Sequence, residues 1–88
     1  MSSRNKDLVR RGSELKPTVH VGKDGITEGL IEEIRRQIKD HELIKIKLLP
    51  SAEFDRNEAA QELAERSDTK VVEVRGNTVV LCNKRLIQ

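Results

Sequence analysis

Val19-His20-Val21-Gly22-Lys23-Asp24-Gly25-Ile26-Thr27 is the stretch from which the rest of the chain is read. Val19 and Val21 flank His20 in the alternation of a short strand. The apolar run stops at a Gly-x-x-Gly turn that leads straight into an amphipathic helix, for which Thr27 is a suitable N-cap. Two glycines three apart let the backbone approach a partner closely and expose several N–H groups. The helix start adds the positive end of its dipole. With Lys23 between the glycines, such a loop suits a polyanionic backbone better than a small uncharged ligand.

Downstream, Leu30, Ile31, Ile34 and Ile38 recur at helical spacing and predict a helix through about Asp40, with its acids in the first turns and its bases in the last. Leu43 to Leu48 alternates: Ile44, Ile46 and Leu48 face one way, Lys45 and Lys47 the other. Pro50 ends that strand. Ser51 or Asp55 opens a third helix whose Phe54, Ala60, Leu63 and Ala64 should pack inward. Lys70 to Arg75 and Thr78 to Cys82 read as two strands joined by the two-residue loop Gly76-Asn77.

Upstream, Ser3 caps a first helix through about Arg11, with Gly12 as its stop. Pro17 favours an extended chain at Lys16, and the first strand runs from Thr18 to Val21. The order is α-β-α-β-α-β-β. Right-handed crossovers place the second and third helices on one face of a single sheet. The first three strands are expected to be parallel and the last antiparallel. His20, Lys45, Lys47, Glu73 and Arg75 belong to the other face, expected to be at least partly solvated; the sequence does not decide whether the first helix covers it. The expected fold class is α/β of the α+β two-layer kind: a four-stranded mixed sheet with helices mainly on one face.

At 88 residues the chain is one small domain, 1–88, with a modest core. No run approaches a membrane span and no signal-peptide apolar region is present, so a cytoplasmic setting with no membrane partner is expected. Cys82 is alone, which excludes an internal disulfide and a Cys-based zinc site. No metal and no cofactor are expected. The net charge of +2 says little, but its distribution says more. Residues 1–25 carry net +3, residues 51–70 net −3, and residues 71–88 net +2. The acidic segment is one predicted helix, either a plain solvated face or the side turned away from an anionic partner.

Known catalytic and nucleotide motifs are missing. The glycine spacing fails the dinucleotide fingerprint, and no Walker A loop occurs. No serine has a nearby histidine in a plausible triad frame. Cys82 lies inside a predicted strand, where a structural thiol is the natural reading. His41 ends the second helix, where a cation suits the dipole. No catalytic residue is expected, the protein is not read as an enzyme, and no small-molecule substrate is expected. A lone Gly-x-x-Gly also serves as an ordinary strand-to-helix turn, so the flanking charges decide its reading. Lys16, Lys23, Lys84 and Arg85 flank predicted strand ends, and Lys45 and Lys47 lie on the open sheet face. As a set near one glycine loop they make a phosphate-contacting surface. Phe54 is the sole aromatic ring of the Phe, Tyr and Trp kind, so base stacking on sheet aromatics is excluded.

Three further stretches carry a resemblance. Leu15-Lys16-Pro17 precedes the glycine loop with Gly25-Ile26-Thr27-Glu28-Gly29, then follow His41-Glu42-Leu43-Ile44-Lys45-Ile46-Lys47 and Val74-Arg75-Gly76-Asn77-Thr78-Val79-Val80-Leu81. In this order and spacing the chain resembles the CRM domain of YhbY-type ribosome-assembly proteins and plant organelle splicing factors. The resemblance implies a stand-alone RNA-binding domain with a fold similar to the C-terminal domain of translation initiation factor three. It also implies that Gly22, Lys23, Asp24 and Gly25 hold the RNA backbone, as the loop of KH domains does. The implied partner is ribosomal RNA within a large-subunit precursor. Asp24 departs from what phosphate binding favours, and its carboxylate is expected to cap the loop or the helix start.

The expected function is thus RNA binding during large-subunit ribosome assembly. The expected RNA-binding residues are Gly22, Lys23, Asp24, Gly25 and Thr27, extended by Lys16, Lys45, Lys47, Lys84 and Arg85, with Arg35, Arg36 and Lys39 beyond them. Whether ribosomal proteins assist is left open. The alternative is a non-catalytic protein–protein interaction module that docks through the polar sheet face or the acidic third helix.

Overall fold

The computed structural model describes residues 2–50 and 55–86, with side chains from residue 6 onward. The elements are α1 (Ser2–Ser13), β1 (Val19–Val21), α2 (Glu28–His41), β2 (Leu43–Leu48), α3 (Arg56–Ser67), β3 (Thr69–Arg75) and β4 (Thr78–Asn83), followed by a 3₁₀ turn at Lys84–Leu86. This is an α+β fold on one four-stranded mixed sheet, as the sequence predicts. Ser51 and Phe54, expected to cap and to pack inward, lie outside the described residues.

The sheet order is β1-β2-β4-β3. β1 is parallel to β2, while β4 is antiparallel to both β2 and β3. The first three strands therefore share a direction, and β4 fills the gap between β2 and β3. Its composition explains the central place. Val79, Val80, Leu81 and Cys82 are all buried, so β4 is covered on both faces. β3 carries Lys70, Glu73 and Arg75 and takes an edge. Gly76 has φ +56°, and Asn77 is not left-handed, the sign pattern of a type II′ hairpin turn.

α2 and α3 cover one face. Ile31, Ile34 and Ile38 of α2 and Ala59, Ala60, Leu63 and Ala64 of α3 pack onto Val21, Ile46, Leu48, Val79 and Leu81. The alanines let α3 lie close to the strands, and Leu63 is its one large anchor. Thr27 caps α2 by accepting from the Leu30 amide at 3.1 Å, and Asp55 caps α3 by accepting from Asn57 N at 2.7 Å and Glu58 N at 3.1 Å. Both helices end on a left-handed residue other than glycine, Glu42 at φ 64° and Asp68 at φ 59°.

α1 packs on the opposite face, at the end of the sheet away from the glycine loop. Leu8 meets Leu43, Val80 and Cys82 there, with Leu15, Val72 and Leu86 around them. The face expected to be polar thus carries a second, smaller core. Gly12 does not stop α1, and Ser3 lies within its first turn: the helix runs from Ser2 to Ser13, and Gly12 lies buried in its last turn. A Cβ placed on Gly12 would sit 2.8 Å from Val80 Cγ1, so the missing side chain is what lets α1 approach β4.

Candidate nucleic-acid interface

The glycine loop stands at the end where β1, β2 and β3 finish. Gly22 and Gly25 close a β-turn, with the Gly25 amide donating to the Gly22 carbonyl at 3.0 Å. Gly25 has φ +74° and open space where a Cβ would stand. Its amide is therefore committed to the turn. The amides of Lys23 and Asp24, on the turn's outer side, have no acceptor among the described residues. Nor do the amides of Glu28 and Gly29 have an intrahelical acceptor, because they open α2. Asp24 caps neither the loop nor the helix: its carboxylate makes no hydrogen bond among the described residues, and Thr27 holds the cap. The loop's exit is tied down from α3, where Arg66 donates to the Ile26 carbonyl at 3.0 Å while pairing with Glu62 at 3.1 Å.

The sheet carries a polar row beside this loop. His20, Lys47, Thr78 and Arg75 are register partners in turn across all four strands. His20 and Lys47 lie between inward-facing neighbours, and Arg75 and Thr78 each adjoin one, Val74 and Val79, so all four side chains share the face opposite α2 and α3. At the usual strand spacing the row spans about 14 Å. His20, Lys47 and Arg75 are exposed, and none has an ion-pair partner among the described residues. The Gly76-Asn77 turn sits at the same end, held by the Leu48 amide on the Asn77 carbonyl at 2.7 Å and by Arg56 on the Gly76 carbonyl at 3.1 Å.

The remaining expected residues are not gathered at this loop. Lys84 and Arg85 follow β4, which runs antiparallel and carries them to the far end of the sheet, about 17 Å away at the usual rise per residue. There Lys84 pairs with Asp68 at 2.8 Å and Arg85 pairs with Glu42. Lys45 and Lys16 line a cleft beside α1 rather than the loop itself. Arg35 donates to the Arg66 carbonyl at 3.0 Å, and Arg36 holds Glu33 at 2.7 Å; both lie on α2, with Lys39 one turn on. α2 and α3 together carry seven acids against five bases, so their side of the molecule is mildly acidic.

Sequence reasoning placed Arg75 on the polar face but did not count it among the contact residues. Its closeness to Lys47 depends on β4 lying between β2 and β3, which the uninterrupted apolar run Val79–Cys82 signals. Hydrogen bonds hold two carboxylates below their ordinary range: Gln37 and then Arg36 act on Glu33, and Lys84 acts on Asp68. Burial pushes the Cys82 thiol up, which makes it a poor nucleophile. Among the described residues, no three His, Cys, Asp or Glu side chains gather to hold a metal ion, and no helix is long and apolar enough to cross a membrane.

Residues 1–82 match the family described as the CRS1 / YhbY (CRM) domain. The chain is 33% identical over 82 residues to the Bacillus subtilis (strain 168) protein named Probable RNA-binding protein YqeI, covering 92% of this chain and 85% of that one. It is 37% identical over 79 residues to Probable RNA-binding protein PA4753 of Pseudomonas aeruginosa, covering 90% and 76%. The solution structure of the hypothetical protein SAV1595 from Staphylococcus aureus superimposes with a TM-score of 0.79 at 28% identity, over 94% of this chain and 86% of that one.

Proposed function

The chain belongs to the CRS1 / YhbY (CRM) domain family, and from that premise we propose that it binds RNA through the glycine loop and the polar row beside it. One observation carries the reading: a turn with outward amides and Lys23 stands at the same sheet end as an uncovered row of His20, Lys47 and Arg75. A phosphodiester backbone offers regularly spaced anions that such a surface can follow. Lys23 and the amides of Lys23 and Asp24 take one phosphate, with the Gly22 and Gly25 backbone shaping the turn around it. Thr27 keeps the amides of Glu28 and Gly29 aimed outward from the same side. Lys47 and Arg75 take further phosphates, and Thr78 and His20 supply hydrogen bonds to sugar or base. The relatives' names, both of RNA-binding proteins, support the reading.

At a finer level the RNA is ribosomal, within a precursor of the large subunit, and the protein acts there as a non-catalytic assembly factor in the cytoplasm. That step rests on the resemblance of the loop and flanking motifs to YhbY-type proteins. The test is gradient sedimentation of tagged protein from a lysate, with and without RNase, at two salt concentrations. Co-migration with large-subunit precursors, lost on RNase treatment or at high salt, is expected. Protein that stays at the top of the gradient at low salt would remove the ribosomal reading. A protein partner that survives nuclease would favour docking through a protein surface instead.

A further inference from the structure

α1 does more than cover half of a sheet face: with β2 and the end of α2 it walls a cleft of about 430 Å³. Three cations, Arg11, Lys16 and Lys45, line it, and none has an ion-pair partner among the described residues. Leu15 and Leu43 give it an apolar floor, and His41 stands at its wall. The volume lies in the range of small-ligand sites, and the lining combines apolar surface with convergent charge. An inorganic anion would leave the apolar floor unused, and an apolar ligand would strand three positive charges. The ligand that satisfies both is a flat ring carrying a phosphate.

We infer that this cleft seats one nucleotide of the bound RNA, base inside and phosphate at the rim. This rests on the RNA-binding reading above and names a second contact within it. Single-stranded bases splayed from a chain stack on histidine rings and arginine guanidinium planes as well as on Phe, Tyr and Trp. His41 and Arg11 are those two groups at the cleft, in a chain whose described strands carry no Phe, Tyr or Trp. Lys16 and Lys45 hold the phosphate. Glu14, the one acid of the lining, accepts from a base N–H and turns a second phosphate away. Lys45 stands two residues before Lys47 on the same strand face, about 7 Å along β2, so the cleft continues directly into the polar row. A strand of RNA can therefore run from the glycine loop along the row and place its next exposed base beside α1.

The test is an amide chemical-shift titration of the full chain with a single-stranded RNA oligomer, with adenosine 5′-monophosphate and with inorganic phosphate. The RNA is expected to shift Leu15, Lys16, His41 and Lys45 together with Lys23 and Gly25. The mononucleotide is expected to shift the cleft residues alone, and phosphate to shift them far less. His41→Ala, at an exposed site whose side chain makes no hydrogen bond among the described residues, should weaken RNA binding at least about fivefold and leave the melting temperature unchanged. RNA that shifts the loop and row but leaves the cleft silent would overturn this inference while keeping the RNA-binding reading. A mononucleotide in the cleft with no binding of RNA would overturn both the inference and that reading.

Discussion

Gly12→Ala and Gly29→Ala make the same chemical change in two helices and should have opposite effects. In each, a helical glycine loses backbone freedom in the unfolded chain and gains helix propensity, which favours the folded state by up to about 1 kcal/mol. At Gly29 nothing lies within 4 Å of the new Cβ, so that gain stands almost alone. At Gly12 the new Cβ would sit 2.8 Å from Val80 Cγ1 and 3.1 Å from Cγ2, and Val80 cannot swing aside because its branched side chain is stiff within a buried strand. Overpacking of this kind costs about 1–3 kcal/mol, which exceeds the propensity gain. The net loss of about 1 kcal/mol should lower the melting temperature by about 4–8 °C for a domain of this size. Urea and thermal denaturation followed by circular dichroism would read both variants. Val80→Ala removes both clashing methyl groups, so Gly12→Ala in that background should become neutral or stabilising. A destabilisation of equal size in both backgrounds would refute the close approach of α1 to β4.

Other consequences are local. Asp55→Ala removes the cap that satisfies two amides of α3 and should cost about 0.5–2 kcal/mol, read by urea denaturation; an unchanged midpoint would show that the cap contributes nothing. Gly25→Ala meets no steric neighbour but must hold a left-handed conformation at φ +74°, so it should cost about 1–2 kcal/mol and leave a folded protein with a displaced loop. Glu33 and Asp68 bind protons less readily when folded than when unfolded, below their ordinary values of 4.5 and 3.8. Their contribution is therefore present above those values and is lost as pH falls through the lower folded values. Glu33→Gln and Asp68→Asn should each flatten the acid limb of a stability-against-pH curve, and variants that titrate like the parent would contradict the assigned partners.

The legible parts of this fold were those where one local signal decided the outcome. Leu43–Leu48 alternates from Ile44 onward and forms β2 with the expected bounds. Thr27 and Asp55 are cap residues by chemistry and cap their helices. Gly76-Asn77 makes its hairpin because a two-residue loop requires positive φ that glycine supplies without strain. What local pattern left unsettled was set by pairing and packing at long range. Leu8 and Val9 are two adjacent apolar residues in a charged helix, and only the fit of Leu8 against Leu43, Val80 and Cys82 decides where α1 docks. Gly12 read as a helix stop because its neighbour Val80 lies far away in sequence. Lys84 and Arg85 read as partners of the glycine loop, yet strand direction puts them at the other end, paired with Asp68 and Glu42. The loop's own four residues needed no such information, since a strand, a turn and a helix start are contiguous in the chain.

The most direct measurement is the salt dependence of RNA affinity for three proteins: the parent, Lys23→Glu/Lys47→Glu, and Lys84→Glu/Arg85→Glu. The two double variants carry the same net charge and reverse opposite ends of the sheet. Each phosphate contact on a single strand contributes about −0.7 to the slope of log affinity against log salt. The proposed interface predicts that reversing Lys23 and Lys47 lowers the slope's magnitude by about 1.4 and greatly weakens binding, while reversing Lys84 and Arg85 leaves the slope nearly unchanged. Equal losses in the two variants would mean that RNA responds to net charge alone, and would contradict an interface built on the glycine loop and the row beside it.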